Sequence, residues 1–154
     1  MDYQRAAAGK GDVLMNLKLR GHVRITQHTS TGDVVVVDEA NAIIPAGRDY
    51  LASLFLNDGI NRSYSPGLTQ IGLWQGGTEY YKADLTDRYI TGGSNVVAVL
   101  YVPTTQPATQ PHTFDEVRLY ANADGSVYIA QKTGLSVAKN NTLALTIEWT
   151  LTLS

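Results

Sequence analysis

NNTLALTIEWTLTLS, residues 140–154, closes the chain. From Leu143 onward every second residue is large and apolar: Leu143, Leu145, Ile147, Trp149, Leu151 and Leu153. Between them stand Ala144, Thr146, Glu148, Thr150 and Thr152, a mostly polar set with a single charge. A period of two puts the sets on opposite faces of a β-strand. One face belongs in a core. The other is polar yet nearly uncharged, and the strand contains neither Lys nor Pro. Natural sheet edges carry such residues, or bulges, to block pairing with other chains. The strand is therefore expected inside a sheet, or paired across a subunit boundary. At ~3.3 Å per residue it would run ~40 Å, long for a small sandwich.

The same alternation marks Val13–Gln27. Val13, Met15, Leu17, Leu19, Gly21, Val23 and Ile25 share one face; Asn16, Lys18, Arg20, His22, Arg24 and Thr26 share the other. This reads as a half-buried strand bent at Gly21. HTSTGD (28–33) is a turn cluster and VVVVDE (34–39) a second strand, so the two form a hairpin. The helix is expected at about 45–56, with Pro45 in its first turn, Leu51, Leu54 and Phe55 on one face, and Asn57-Asp58-Gly59 as its stop. Further strands are read in TQIGLW (69–74), in part of 78–94, and in NVVAVLYV (95–102). PTTQPATQP (103–111) reads as an extended surface loop. TFDEVRLYA and SVYIAQK form a hairpin around NADG (122–125), whose Asp-Gly is a turn signal rather than a calcium loop. That makes seven or eight strands without βαβ alternation. The expected fold is all-β: an antiparallel β-sandwich, jelly-roll-like, in one domain over 13–154, preceded by an extended polar arm over 1–12.

The composition excludes several chemistries. With no cysteine among 154 residues, disulfides, thiolate catalysis and Cys-ligated zinc are ruled out. The net charge is −2, but residues 1–24 carry Arg5, Lys10, Lys18, Arg20 and Arg24 against Asp2 and Asp12, so that segment is +3 and the remainder −5. No leader is expected from the polar MDYQRAAAGKGD, and the longest apolar run, near 96–102, is too short to cross a bilayer as a helix. A soluble protein with no membrane partner is expected.

No catalytic motif is present, and His22, His28 and His112 stand at no metal-ligand spacing. The expectation is a non-enzyme without cofactor or metal. Three surface features remain. Lys18, Arg20 and Arg24, with His22 among them, form a basic stripe continuous with Arg5 and Lys10, suited to an acidic protein surface. Nucleic acid is not expected there, because that face has no interleaved aromatics. Trp74, before Gln75-Gly76-Gly77, stands at a strand end where a sugar or a protein could stack on it. Glu116 and Glu148 lie on strands and would form a glycosidase-like pair only if those strands were neighbours.

Several stretches together resemble small virion structural proteins of tailed bacteriophages: GHVRITQHTSTGDVVVVDEANAIIPAGRDYLASLFL, IGLWQGG, FDEVRLYANADGSVYIAQK and KNNTLALTIEWTLTLS. The likeness spans about residues 17–154. It consists of a strand pair, a Gly-Arg helix, a short strand, a Glu-x-x-Leu-Tyr hairpin, and a Lys before a final Trp-bearing strand. It implies a non-enzymatic particle component. One form is a capsid cement (decoration) protein, often trimeric, bound to the major capsid protein. The other is a tail, neck or baseplate adaptor or fibre-base protein. On the first, Arg5, Lys10, Lys18, Arg20 and Arg24 would meet an acidic capsid surface. A carbohydrate-binding module using Trp74 and a rim tyrosine is the alternative from another class.

Overall fold

A computed structural model describes residues 18–53, 67–121 and 126–154. The expected arm over 1–12, and with it Arg5 and Lys10, lies outside the described residues, as do Val13–Leu17 and the NADG turn. The described chain forms β1 (Leu19–Thr29), β2 (Gly32–Ile43), α1 (Pro45–Ser53), β3 (Leu68–Gln75), β4 (Thr78–Asp84), β5 (Asp87–Thr91), β6 (Asn95–Val102), β7 (His112–Phe114), β8 (Glu116–Ala121), β9 (Val127–Lys132), β10 (Val137–Lys139) and β11 (Ala144–Leu153). Eleven strands replace the expected seven or eight. The stretch 78–94 resolves into two strands, and β7 and β10, three residues each, form a small sheet of their own. The helix is described to Ser53, so its expected Leu54 and Phe55 lie outside.

Nine strands run in the order β4-β3-β8-β9-β2-β1-β11-β6-β5, every pair antiparallel. The sheet folds over on itself, and β2 is the hinge strand. Its first part pairs with β1, while only Ala42 and Ile43 pair with β9. Beside that junction the Glu39 carboxylate meets the Lys132 ammonium at 2.6 Å. The two halves, β2-β1-β11-β6-β5 (the first sheet) and β4-β3-β8-β9 (the second), pack through one apolar core. Val23, Ile25, Leu100, Ile147 and Trp149 come from the first; Ile71, Leu73, Val117, Leu119 and Ile129 come from the second. The result is an all-β, sandwich-like fold.

β11 lies between β1 and β6, paired along its length on both sides. Its alternation is realised as the sequence implies: Leu145, Ile147, Trp149 and Leu151 are buried, while Thr146, Glu148, Thr150 and Thr152 are half-buried on the outer face. Of the two expected solutions to its missing edge protection, the chain uses the internal one, so β11 needs no strand from a second subunit. The indole of Trp149 donates from Nε1 to Asn41 Oδ1 at 3.0 Å. Gly21 makes room for this bond, since a Cβ there would stand 2.2 Å from Asn41 Oδ1. That close approach accounts for Gly21.

A bulge between Ile25 and Thr26 sets the register of the β1–β2 hairpin. On the turn side of it Thr26 faces Val35; beyond it Ile25 faces Val37, and Val36 is the extra residue. Without the bulge the turn register would set Val36 against Ile25 and turn Val37 to the outer face. With it Val37 enters the core, 6% exposed, and Asp38 turns outward. A one-residue shift exchanges the two faces of a strand. Among the described residues β2 pairs on its other side only from Ala42 onward, and before it Asp38, Glu39 and the bulge supply the protection that sheet edges need.

Candidate functional site

The outer face of the first sheet collects most of the residues singled out from the sequence. Arg20, His22, Arg24, Thr26 and His28 of β1 alternate with the core residues and point away from them. Facing them on β11 are Thr152, Thr150, Glu148, Thr146 and Ala144. Beyond β11 come Asn95, Val97, Val99 and Tyr101 of β6, then Thr91, Tyr89 and Asp87 of β5. On the other flank β2 contributes Ala40, Asp38, Val35 and Asp33. Val35, Tyr89 and Tyr101 are each more than 40% exposed.

The basic stripe is present only in part. Lys18, Arg20 and Arg24 are exposed, and Lys18 exchanges two backbone hydrogen bonds with Ser154. Arg24, however, stands directly between Glu148 of β11 and Asp38 of β2. His22 Nε2 lies 2.5 Å from Asp38 Oδ1. This hydrogen bond holds the Asp38 carboxyl below its ordinary value; slight burial opposes it, and the charges of His22 and Arg24 add to it. Asp87 stands in the same row as Asp38, Arg24 and Glu148, with Lys18 and Arg20 toward one end of the face and Asp33, bonded to His28, at the other. A uniformly basic contact for an acidic partner is therefore not what the fold builds.

His28 bridges two strands. Its Nδ1 lies 2.8 Å from Asp33 Oδ1 and its Nε2 2.7 Å from Thr146 Oγ1. Hydroxyl, imidazole and carboxylate in series are the order of an activated nucleophile. Acyl transfer also needs donors aimed at a developing oxyanion. At Thr146 the flanking β1 and β6 occupy the backbone ladder on both sides. The relay instead ties β2, β1 and β11 together on the outer face.

A second cluster covers the outer face of the second sheet. The Arg118 guanidinium lies 3.7 Å from the Trp74 ring centroid and 4.3 Å from that of Tyr128, and its Nε bonds Glu116 Oε2. Burial acts to lower the Arg118 pKa, but the hydrogen bond and charge of Glu116 reverse this, and the net direction is upward. Tyr120, 5% exposed, donates to Glu79 Oε2 at 2.5 Å. Burial first, then this hydrogen bond, pushes its phenol far above the ordinary range. Gly72 lies beneath, where a Cβ would meet Glu79 Oε2 at 2.5 Å and Tyr120 Cε2 at 2.9 Å. Trp74 is thus half-buried, with one ring face occupied by Arg118 and its Nε1 buried. A sugar could stack only on its other side. Glu116 belongs to this face and Glu148 to the opposite one, so their strands are not neighbours and a glycosidase pair does not form.

The proline loop is anchored from within. Lys139 is fully buried, and its ammonium donates to Asn140 O at 3.0 Å, Thr104 O at 3.3 Å and Gln110 Oε1 at 3.5 Å. Burial lowers its pKa. Beside it, Thr105, Ala108, Gln110, Pro111, Asn140, Asn141 and Thr142 line an open hollow of about 650 Å³. His112 fixes the other end of the loop, with Nδ1 2.9 Å from Gln75 Oε1 and its ring between Tyr80 and Phe114. Sequence reasoning left both residues unused. A lone lysine before a strand looks solvated until the loop that wraps it is known.

Among the described residues, no group of three or more His, Asp or Glu is placed to hold a metal, and no helix is long and apolar enough to cross a membrane. No protein-family model, curated protein or solved structure matches the chain.

Proposed function

We propose that this chain is a non-enzymatic virion structural protein of a tailed bacteriophage, of the capsid cement type: it self-associates and attaches to an assembled shell of major capsid protein. The observation that carries this reading is the outer face of the first sheet. It carries half-buried threonines of β11, Val99 and the exposed Tyr89 and Tyr101, with Asp38, Arg24, Glu148 and Asp87 in one row across its middle. Protein contacts are enriched in exposed aromatic residues of this kind. The sequence likeness over about 17–154 supports the same reading and supplies the setting. A protein that binds only the assembled lattice stabilises it by mass action.

The same sequence likeness also fits a tail, neck or baseplate adaptor or fibre-base protein. Copy number in purified particles separates the two. A count comparable to that of the shell subunit supports cement, and a single ring's worth supports the adaptor. Absence from the particle overturns both. A glycan array tests the carbohydrate alternative; binding that is lost in Trp74→Ala would replace the virion reading.

A further inference from the structure

We infer that the hollow between the proline loop and the 140–142 turn binds a small oxyanion, a carboxylate or phosphate group, held by neutral donors in front of the buried ammonium of Lys139. The charge comes first. Lys139 is fully buried, and its three acceptors, Thr104 O, Gln110 Oε1 and Asn140 O, are all neutral. Among the described residues no carboxylate pairs with it. Across the β7–β10 pair its register partner is His112, a group that is neutral or positive and never negative. Buried charges are ordinarily matched by an opposite one. This corner of the molecule therefore holds a positive charge without its counter-charge.

The hollow opens in front of it. Gln110 and Asn140, two of the residues that hold the ammonium, also form its wall, and no residue of the lining is charged. Both amides are fixed in direction. Gln110 accepts from the ammonium through Oε1 and donates from Nε2 to Thr104 O at 2.9 Å. Asn140 Oδ1 accepts from Thr142 N at 2.9 Å and from Thr142 Oγ1 at 2.7 Å, which leaves Nδ2 as the donor of that amide. The exposed Thr105 and Asn141 add a hydroxyl and a second amide. Oriented donors, a positive background and a wall without acids select an anion over a cation. At a separation of ~7 Å and an effective dielectric of ~20, one unit charge changes anion affinity roughly tenfold or more. The volume, about 650 Å³, falls within the ~300–1,000 Å³ of ligand sites. The site lies apart from the face on which the proposed function rests and goes beyond that reading.

The test is a titration of the isotope-labelled full-length chain with sodium acetate and with sodium phosphate, followed by amide NMR at an ionic strength held constant with sodium chloride. Saturating shifts are expected at Thr105, Gln110, Asn140, Asn141 and Thr142. Saturation by acetate alone marks a carboxylate site and by phosphate alone a phosphate site; either supports the inference. Lys139→Met is expected to weaken binding ~tenfold or more. Because that change also loosens the loop, two substitutions at the exposed Asn141 decide the matter. Asn141→Asp puts a like charge on the wall and is expected to weaken binding, whereas Asn141→Lys is expected to tighten it severalfold. A disturbed loop would weaken both, so opposite signs report charge. The inference is overturned by shifts that never saturate with either anion, by chloride reproducing them, or by the two Asn141 variants moving affinity in the same direction or not at all. None of these outcomes touches the virion reading, which makes no use of the hollow.

Discussion

Tyr120 and Lys139 are the residues where burial and chemistry meet most sharply. The Tyr120 hydroxyl donates to Glu79 Oε2 inside a layer closed by Trp74 and Gly72. Tyr120→Phe removes the donor and leaves a half-buried carboxylate oxygen short of a partner, at a cost of ~1–3 kcal/mol. Chemical denaturation should show a lower midpoint at unchanged slope. The pH dependence has a definite sign. The folded phenol titrates above its unfolded value of 10.0, so the unfolded chain loses its proton first and stability falls as pH rises past about 10. Tyr120→Phe should flatten that alkaline loss, leaving the smaller contribution of Tyr81, which burial also raises; melting temperatures across pH 9–11 check this. Lys139→Met strands Thr104 O, Gln110 Oε1 and Asn140 O around an apolar chain. The expected loss is again ~1–3 kcal/mol, with faster hydrogen exchange in the 103–111 loop as a readout specific to that anchor.

At the scale of elements, two close approaches fix neighbouring elements against one another. α1 packs on β9 through Gly47, where a Cβ would stand 2.4 Å from the backbone oxygen of Ile129 and 2.7 Å from Ile43 Cγ2. The nearest obstacle is backbone and cannot swing aside. Gly47→Ala is therefore expected to destabilise by ~1–3 kcal/mol from overpacking, outweighing the helix-propensity gain of ~1 kcal/mol; thermal melting gives the sign. Asn41, on the hinge strand, accepts from Trp149 of β11. Asn41→Ala leaves a buried indole N–H unpaired, with an expected loss of ~1–3 kcal/mol and a shift of tryptophan emission on top of the loss in denaturation midpoint. Strand identity was legible in the long alternations of β1 and β11, in the apolar run of β6 and in the hairpin signal of β8 and β9, and all five fall where these indicated. The division of 78–94 into β4 and β5, and the pairing of β7 with β10, were not. Those strands bury few residues in phase, and a three-residue strand has no period to read.

For the molecule as a whole, the outer faces differ in kind. On the second sheet, charge and aromatic groups satisfy one another: Arg118 with Glu116, Trp74 and Tyr128, and Tyr120 with Glu79. On the first, Asp38, Arg24, Glu148 and Asp87 form a row across the strands, and Tyr89 and Tyr101 stand open. A surface of the second sort is available to a partner, which is why copy number in the particle and mass in solution are the measurements that bear on function. Added salt should loosen self-association while leaving the monomer's denaturation midpoint little changed, because the exposed pairs of the first face contribute little to stability.

The sequence by itself determined that the chain is a β protein with a Trp149-bearing final strand, which residues of that strand are buried, and that β1 turns Arg20, His22 and Arg24 toward solvent. These follow from a period of two, which needs no knowledge of neighbours. Only the tertiary structure decided that β11 is central, which removes the demand for a second subunit to cover its edge. It alone decided that Asp38 lies outward beside His22 and Arg24, because the displaced residue Val36 shifts the hairpin register by one. It also decided that Trp74 is committed to Arg118, and that Glu116 and Glu148 stand on opposite sides of the core. Alternation within a strand is local, whereas what a side chain meets depends on the order and register of strands far apart in the chain.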